Sequence, residues 1–203
     1  LAAAQRARPQ TIRSFFYARK CRSATHIERV IAALPTAKPL TQDVAVLAVQ
    51  PLTVQMLAKQ LQLLGKSIAA YEQQIQILFR QHPDAFLFES LPGAGKTLAP
   101  RLLCAFGSDR ARYPSAQNMQ TYAGVAPVIE RSGKSCWTHW RWNCPKFLRQ
   151  TFHEYAKVSI LYSTWARAYY DQQKQRGKRH NAAIRSLAFK WIRIIHRCWQ
   201  TRT

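Results

Sequence analysis

Eight apolar residues recur at intervals of three and four along one stretch of the chain: Val54, Leu57, Leu61, Leu64, Ile68, Tyr71, Ile75 and Leu78. A spacing that averages 3.5 residues is the a/d seam of a coiled coil, so this stretch must form a long helix with one face that needs covering. Between the seam positions stand Gln55, Gln60, Gln62, Gln73, Gln74 and Gln76 rather than opposed charges. That outside suits pairing within one chain or between copies, and a homo-oligomer through this helix is expected. An amphipathic helix lying on a globular core would carry the same stripe. Gly65 inside it costs about 1 kcal/mol of helix relative to Ala.

The seam divides the chain into three. Residues 1–50 read as a basic lead-in, with Arg6, Arg8, Arg13, Arg19, Lys20 and Arg22 around Phe15-Phe16-Tyr17 and one short helix over 24–34. Pro9, Pro35, Pro39 and Pro51 punctuate it, each disfavouring helix at the residue before. Residues 51–83 are the coiled-coil helix. Residues 84–203 read as a compact domain, and the fold class is mainly α. In that domain Thr97 is expected to cap a helix running to Phe106, and Ser115 a second ending at Gly124. Asn143 and Pro145 open a long third helix through Phe152, Tyr155, Leu161, Trp165 and Tyr169. Asn181 opens the last, with Ile184, Leu187, Ala188, Trp191, Ile195, Cys198 and Trp199 on one face. Residues 125–142 read as non-helical.

Charge narrows the function. The 203 residues hold 31 Lys and Arg against 9 Asp and Glu, a net +22. Such a chain repels itself unless an anionic partner is present, and nucleic acid is the usual one. Residues 86–203 carry 20 cations against 5 acids, and no acid occurs between Arg131 and His153 or after Asp171. A solvated face mixes signs, so acid-free stretches of this length point to phosphate. The longest unbroken apolar run, residues 44–49, falls far short of the roughly 18 residues that span a bilayer. No secretory leader is visible, so a cytoplasmic, nucleoid-associated protein without membrane contact is expected. The 5 cysteines, Cys21, Cys104, Cys136, Cys144 and Cys198, imply no disulfide framework.

Three motifs carry chemistry. Ser90-Leu-Pro-Gly-Ala-Gly-Lys-Thr97 lacks the first glycine of a phosphate-binding P-loop and the strand that must precede it. Leu91-Pro-Gly-Ala-Gly95 better resembles the hairpin of a helix-hairpin-helix motif, in which Gly93 and Gly95 let the backbone turn and aim N–H groups at a phosphate. Lys96 and Arg101 add charge there. Glu130-Arg-Ser-Gly-Lys-Ser135 places a serine beside glycine in a basic loop. Arg131 and Lys134 would stabilise its alkoxide and the charge developing on a phosphate, although Ser-Gly is also a common turn. Trp137, Trp140 and Trp142 follow, able either to stack bases or to cover the domain. Cys136, His139, Cys144 and His153 have metal-ligand chemistry, but their spacing fits no common zinc module, and no metal is expected. Arg141, Lys146 and Arg149, then Arg176, Lys178 and Arg179 in a basic interhelical loop, complete the nucleic-acid contacts expected.

The order of these motifs resembles a known family. Leu91-Pro-Gly-Ala-Gly95, Pro114-Ser-Ala, Thr121-Tyr-Ala-Gly-Val-Ala-Pro127, Arg131-Ser-Gly-Lys134 and Arg176-Gly-Lys178 before a final helix are similar to the C-terminal domain of the insertion-sequence one-ten transposases. These are the DEDD transposases described as bridge-RNA-guided recombinases, and the heptad helix looks like the family's coiled coil. The resemblance implies a split active site. A RuvC-like domain brings four magnesium-binding carboxylates, and this domain brings a serine that attacks a DNA phosphodiester. The serine carries over to Ser132, with Ser135 as the alternative. DNA and a structured RNA are the implied partners. Only Glu28 and Asp43 precede the seam and Leu1 stands where Met is usual, so the carboxylate domain is expected outside this chain. No cofactor is then expected on this chain itself, magnesium arriving only with that domain, and the chain alone is expected to be inactive. The competing class is a non-catalytic nucleic-acid-binding module.

Overall fold

Ten α-helices and one two-stranded hairpin make up the chain, which the computed structural model describes in full from Leu1 to Thr203. The mainly α class is therefore correct. The chain divides into two units, Leu1–Lys66 and Ser67–Thr203.

The first unit is more ordered than a lead-in. It contains α1 (Ala2–Gln5), α2 (Pro9–Ala18) and α3 (Ala24–Ala33), then a 3-10 turn at Leu34–Thr36. Pro9 sits at the first position of α2, where its missing N–H has no intrahelical partner to lose. Ser23 caps α3 by accepting from the His26 N–H. Arg13 on α2 forks onto Glu28 on α3 at 2.7 and 2.9 Å, the Gln5 amide donates to the Leu34 and Ala37 carbonyls, and Ile27 is the buried side chain.

The long helix α4 (Val44–Gln81) starts on Asp43, whose Oδ1 accepts from the Ala45 and Val46 N–H groups. That cap lies well before Pro51, which stands inside the helix rather than ahead of it. There the Leu47 carbonyl loses its i+4 donor, a defect confined to one bond. All eight seam residues lie on α4 and all are exposed. The helix also holds an 18-residue window of mean hydropathy 1.3, enough by length and composition to cross a bilayer. Counting unbroken apolar runs missed this, because scattered glutamines interrupt a run without lowering a window's average much.

The second unit takes in the end of α4 and packs α5 (Ala85–Glu89), α6 (Gly95–Phe106), α7 (Ala116–Tyr122), α8 (Lys146–Tyr162), α9 (Thr164–Gln175) and α10 (His180–Thr201). The α10 face read from the sequence is buried at Ile184, Leu187, Ala188, Trp191, Ile195 and Trp199. Phe106 anchors the centre, with its ring centroid 5.8 Å from Phe152 and 5.4 Å from Trp199. Buried Asp84 is held by Arg110 at 2.8 Å and Arg202 at 3.2 Å.

Three helix boundaries in this unit differ from expectation, the smallest difference being at α10, which starts at His180 on an extended Arg179 and so is not opened by Asn181. Thr97 does not cap α6. The helix begins at Gly95, in the left-handed region at φ +54°, and the Ala94 carbonyl has already accepted the Leu98 N–H. The long third helix is two. Ser163 adopts an extended backbone that ends α8, and its hydroxyl accepts from the Ala166 N–H to start α9. The apolar period runs on across this break through Trp165 and Tyr169, which is why periodicity concealed it. Ser115 caps α7 as expected.

Candidate functional site

Residues 125–142 are not a plain loop. They form an antiparallel hairpin of β1 (Val128–Ser132) and β2 (Ser135–His139), in register from Val128↔His139 to Ser132↔Ser135. Gly133 and Lys134 make the two-residue turn. Gly133 has φ +56° and Lys134 does not adopt a left-handed backbone, the pattern of a turn with glycine at its first central position. At the other end, Gly124 at φ +68° leads into the hairpin, and a Cβ there would collide with the Cys144 sulfur.

Pleating sorts the hairpin's side chains. Residues paired across strands share a face and alternate along each strand. Ser132, Ser135, Glu130, Trp137 and His139 therefore share one face, while Arg131 lies on the other with Ile129, Cys136 and Thr138. The two candidate serines are thus brought together at the tip, next to Lys134, and Arg131 is turned away from both. Both serines are exposed, and neither hydroxyl makes a hydrogen bond within the chain. Glu130 is engaged with His139 at 3.2 Å. At about 3.4 Å per residue, His139 lies roughly 13 Å along the strand from Ser135, too far to take a serine proton.

The remaining expected contacts scatter around this tip. Gly93, at φ +77°, has no room for a Cβ because Tyr162 and Val158 of α8 would lie within 2.7 and 3.1 Å. Its glycine is explained by close packing. Gly95 faces open space and Lys96 is exposed, although the Lys96 carbonyl accepts from the Gln76 amide at 2.6 Å. Arg101 is committed to an ion pair with Glu154 and lies over the Phe147 ring. Lys146, at the start of α8, is exposed without an acid partner. Arg176, Lys178 and Arg179 form the exposed loop between α9 and α10, where Lys178 donates to the Ser186 hydroxyl at 3.0 Å. Arg149 donates to the Arg141 carbonyl at 3.2 Å, and Arg149 and Arg185 both lie over Trp140. Sequence reasoning missed Arg185; the acid-free stretch after Asp171 contains it but does not single it out.

Of the three clustered tryptophans, Trp142 is 81% exposed and Trp137 50%, while Trp140 is half-buried beneath its two arginines. The carboxylates present do not fit a magnesium site, which wants several oxygen ligands converging on one ion. Asp84, Glu28 and Glu154 are ion-paired, Glu130 lies against His139, and Asp43 and Asp109 cap helical turns. No three His, Cys, Asp or Glu side chains gather where an ion could sit.

His153 on α8 reports the charge of this region. Burial holds its imidazole below the ordinary histidine value, opposed by the Asn181 backbone and reinforced by Arg185, His180 and Lys157. A histidine neutral in the fold takes its proton first in the unfolded chain, near pH 6.5. Its contribution to stability is therefore complete above that pH and lost as pH falls towards the folded value. Thermal melts from pH 7.5 down to 5.5 are expected to show a smaller fall in Tm for His153→Gln than for the parent chain.

Comparison with known proteins places this region. Residues 85–171 match the family model described as Transposase IS116/IS110/IS902 family. The protein assigned as the mini-circle transposase for IS117 in Streptomyces coelicolor is 32% identical over 128 residues, 63% of this chain and 31% of that protein. A 42 kDa protein of insertion element IS900 from Mycobacterium paratuberculosis is 30% identical over 185 residues, 91% of this chain and 46% of that protein. A 43.6 kDa protein of insertion element IS110 from Streptomyces coelicolor is 32% identical over 145 residues, 71% of this chain and 36% of that protein. The chain thus spans less than half the length of these relatives.

Proposed function

Through residues 85–171 the chain belongs to the IS116/IS110/IS902 transposase family, and on that footing we propose that it binds DNA and supplies the serine nucleophile of an insertion-sequence transposase. The observation that carries this reading is the hairpin tip. Ser132 stands exposed and unbonded beside Lys134, in a stretch with no acid from Arg131 to His153. The Ser132 hydroxyl attacks phosphorus. Its proton leaves to a base, the new Oγ–P bond forms, and the bridging oxygen departs as a free DNA end. No residue of the hairpin reaches the serine as that base, and in the split site proposed here the activating group is supplied by the carboxylate domain. Ser135, its cross-strand neighbour on the same face, is the alternative nucleophile. Lys134 neutralises the charge that develops on the phosphate; Arg131, on the opposite face, serves DNA backbone contact instead.

The α4 seam supports an oligomer. A helix in lipid is apolar all round, whereas this one alternates an exposed apolar stripe with glutamines, which suits another helix of the same kind. A second copy of α4 is the occupant proposed. Structured RNA is the second polyanion proposed, with the exposed 176–179 loop and the start of α6 at Gly95 and Lys96 as further phosphate contacts.

Supplied in trans with a four-carboxylate RuvC-like domain, magnesium and duplex DNA, the chain is expected to give a detergent-stable protein–DNA adduct. Ser132→Ala should abolish the adduct while leaving DNA affinity within about twofold, as exposed substitutions do. The chain alone should bind and not cleave. An adduct lost only in Ser135→Ala moves the nucleophile to Ser135, and DNA binding with no adduct from the parent chain returns the non-catalytic module.

A further inference from the structure

Trp140 carries two guanidinium groups, with Arg185 4.3 Å and Arg149 5.1 Å from its ring centroid. Two like charges on one indole repel each other, and a fold normally offsets such a pair with a carboxylate. None is supplied here. Arg185 makes no hydrogen bond and no ion pair within the chain, and the Nε of neighbouring Arg141 is buried with no partner at all. Glu130 is taken by His139.

Arg141, Arg185 and Trp140 line one cleft of about 70 Å³ at the base of the hairpin, together with Gly124, Thr138 and His139. On this measure about 10–15 Å³ holds one water, so the cleft has room for a small tetrahedral anion such as one phosphate group. The walls are held in place. Arg149 is bonded to the Arg141 carbonyl, the Arg185 guanidinium is laid on the indole, and at Gly124 any side chain would meet Cys144. A guanidinium stacked on a ring presents its planar edge of donors with little freedom left to lose on binding. Burial also lowers Arg185 from the ordinary arginine value, the direction expected of a cation without compensation.

We infer that this cleft seats one phosphate of a nucleic-acid backbone, gripped by Arg185 and Arg141, with Trp140 and Arg149 as positioning residues. The inference rests on the nucleic-acid-binding reading above and adds an anchor on α10 that acts at a distance from the serine tip. Its role is to fix the register of the strand, since phosphate contacts position without reading sequence.

The test uses the full 203-residue chain with two probes, inorganic phosphate and a mixed-sequence DNA duplex. With the indole nitrogens labelled, phosphate is expected to shift the Trp140 signal, identified by its loss in Trp140→Phe, where chloride at matched ionic strength does not. Arg185→Gln should remove that shift. It should also reduce the slope of log affinity against log salt by about 0.9, the share of one phosphate, and weaken duplex binding roughly tenfold near 0.1 M salt. Arg185→Lys, which keeps the charge and loses the planar fork, should fall between. The other five indole signals report whether each variant keeps its fold, and Arg141→Gln repeats the test if Arg185→Gln does not. Duplex binding with an unchanged slope in Arg185→Gln overturns the seat and leaves nucleic-acid binding intact. A phosphate shift without a slope change overturns it in favour of a free-anion site. A parent chain that does not bind the duplex overturns both readings together.

Discussion

Affinity of the 203-residue chain for duplex DNA is expected to fall roughly a thousandfold when salt rises from about 50 to about 200 mM. The magnitude is a floor, taken from six free cations and leaving aside Lys96 and the Arg185 seat. Arg13, Arg101, Arg110 and Arg202 are paired with acids of their own fold. Arg131, Lys134, Lys146, Arg176, Lys178 and Arg179 are exposed and have no acid partner. Six phosphates neutralised at about 0.9 counterions each give a slope of about −5 in log affinity against log salt. Fluorescence anisotropy with a labelled duplex over a salt series measures it. A slope near zero would remove DNA from the proposal, because no arrangement of phosphate contacts escapes competition by counterions.

Trp199→Ala is expected to cost about 3–5 kcal/mol of stability, whereas Trp142→Ala changes stability by less than about 0.5 kcal/mol. Trp199 is fully buried, with Phe106, Tyr113 and His196 around its ring and Arg110 4.5 Å from its centroid. Its indole N–H donates to the Gly107 carbonyl at 2.9 Å, so truncation leaves both a cavity and an unpaired acceptor where α6 ends. For a chain of this size, Tm should drop on the order of 10 °C. Trp142 is 81% exposed and loses almost nothing. Thermal melts of the two variants side by side check the assignment; equal losses would mean that Trp142 is covered in the folded protein.

How much of this was legible beforehand depended on the range over which each feature is encoded. The α class, the seam from Val54 to Leu78, the Ser115 cap and the buried face of α10 follow from neighbours three and four residues apart. The ordered motifs from Leu91 to Lys178 carried the family in the same way, and it was the family that drew attention to Ser132. Local signals failed where two of them competed. Ser163 was hidden by an apolar period that continued across it, and the Pro51 signal was overridden by the Asp43 cap and the helix it starts.

The site itself was legible only as a list of basic residues. Sequence by itself determined that residues 128–139 hold a glycine turn between basic residues, that the chain carries a net +22, and that α4 bears an apolar stripe. Tertiary structure decided the rest. Hairpin register turned Arg131 away from Ser132, because a strand's faces alternate and only pairing says which residues share one. Packing tied Arg101 to Glu154, 53 positions along the chain, and laid Arg185 of α10 on Trp140. Identical arginines thus became an internal ion pair in one place and an uncompensated charge in another. Composition counts charges, but the carboxylate each one meets is chosen by contacts between residues far apart in the chain.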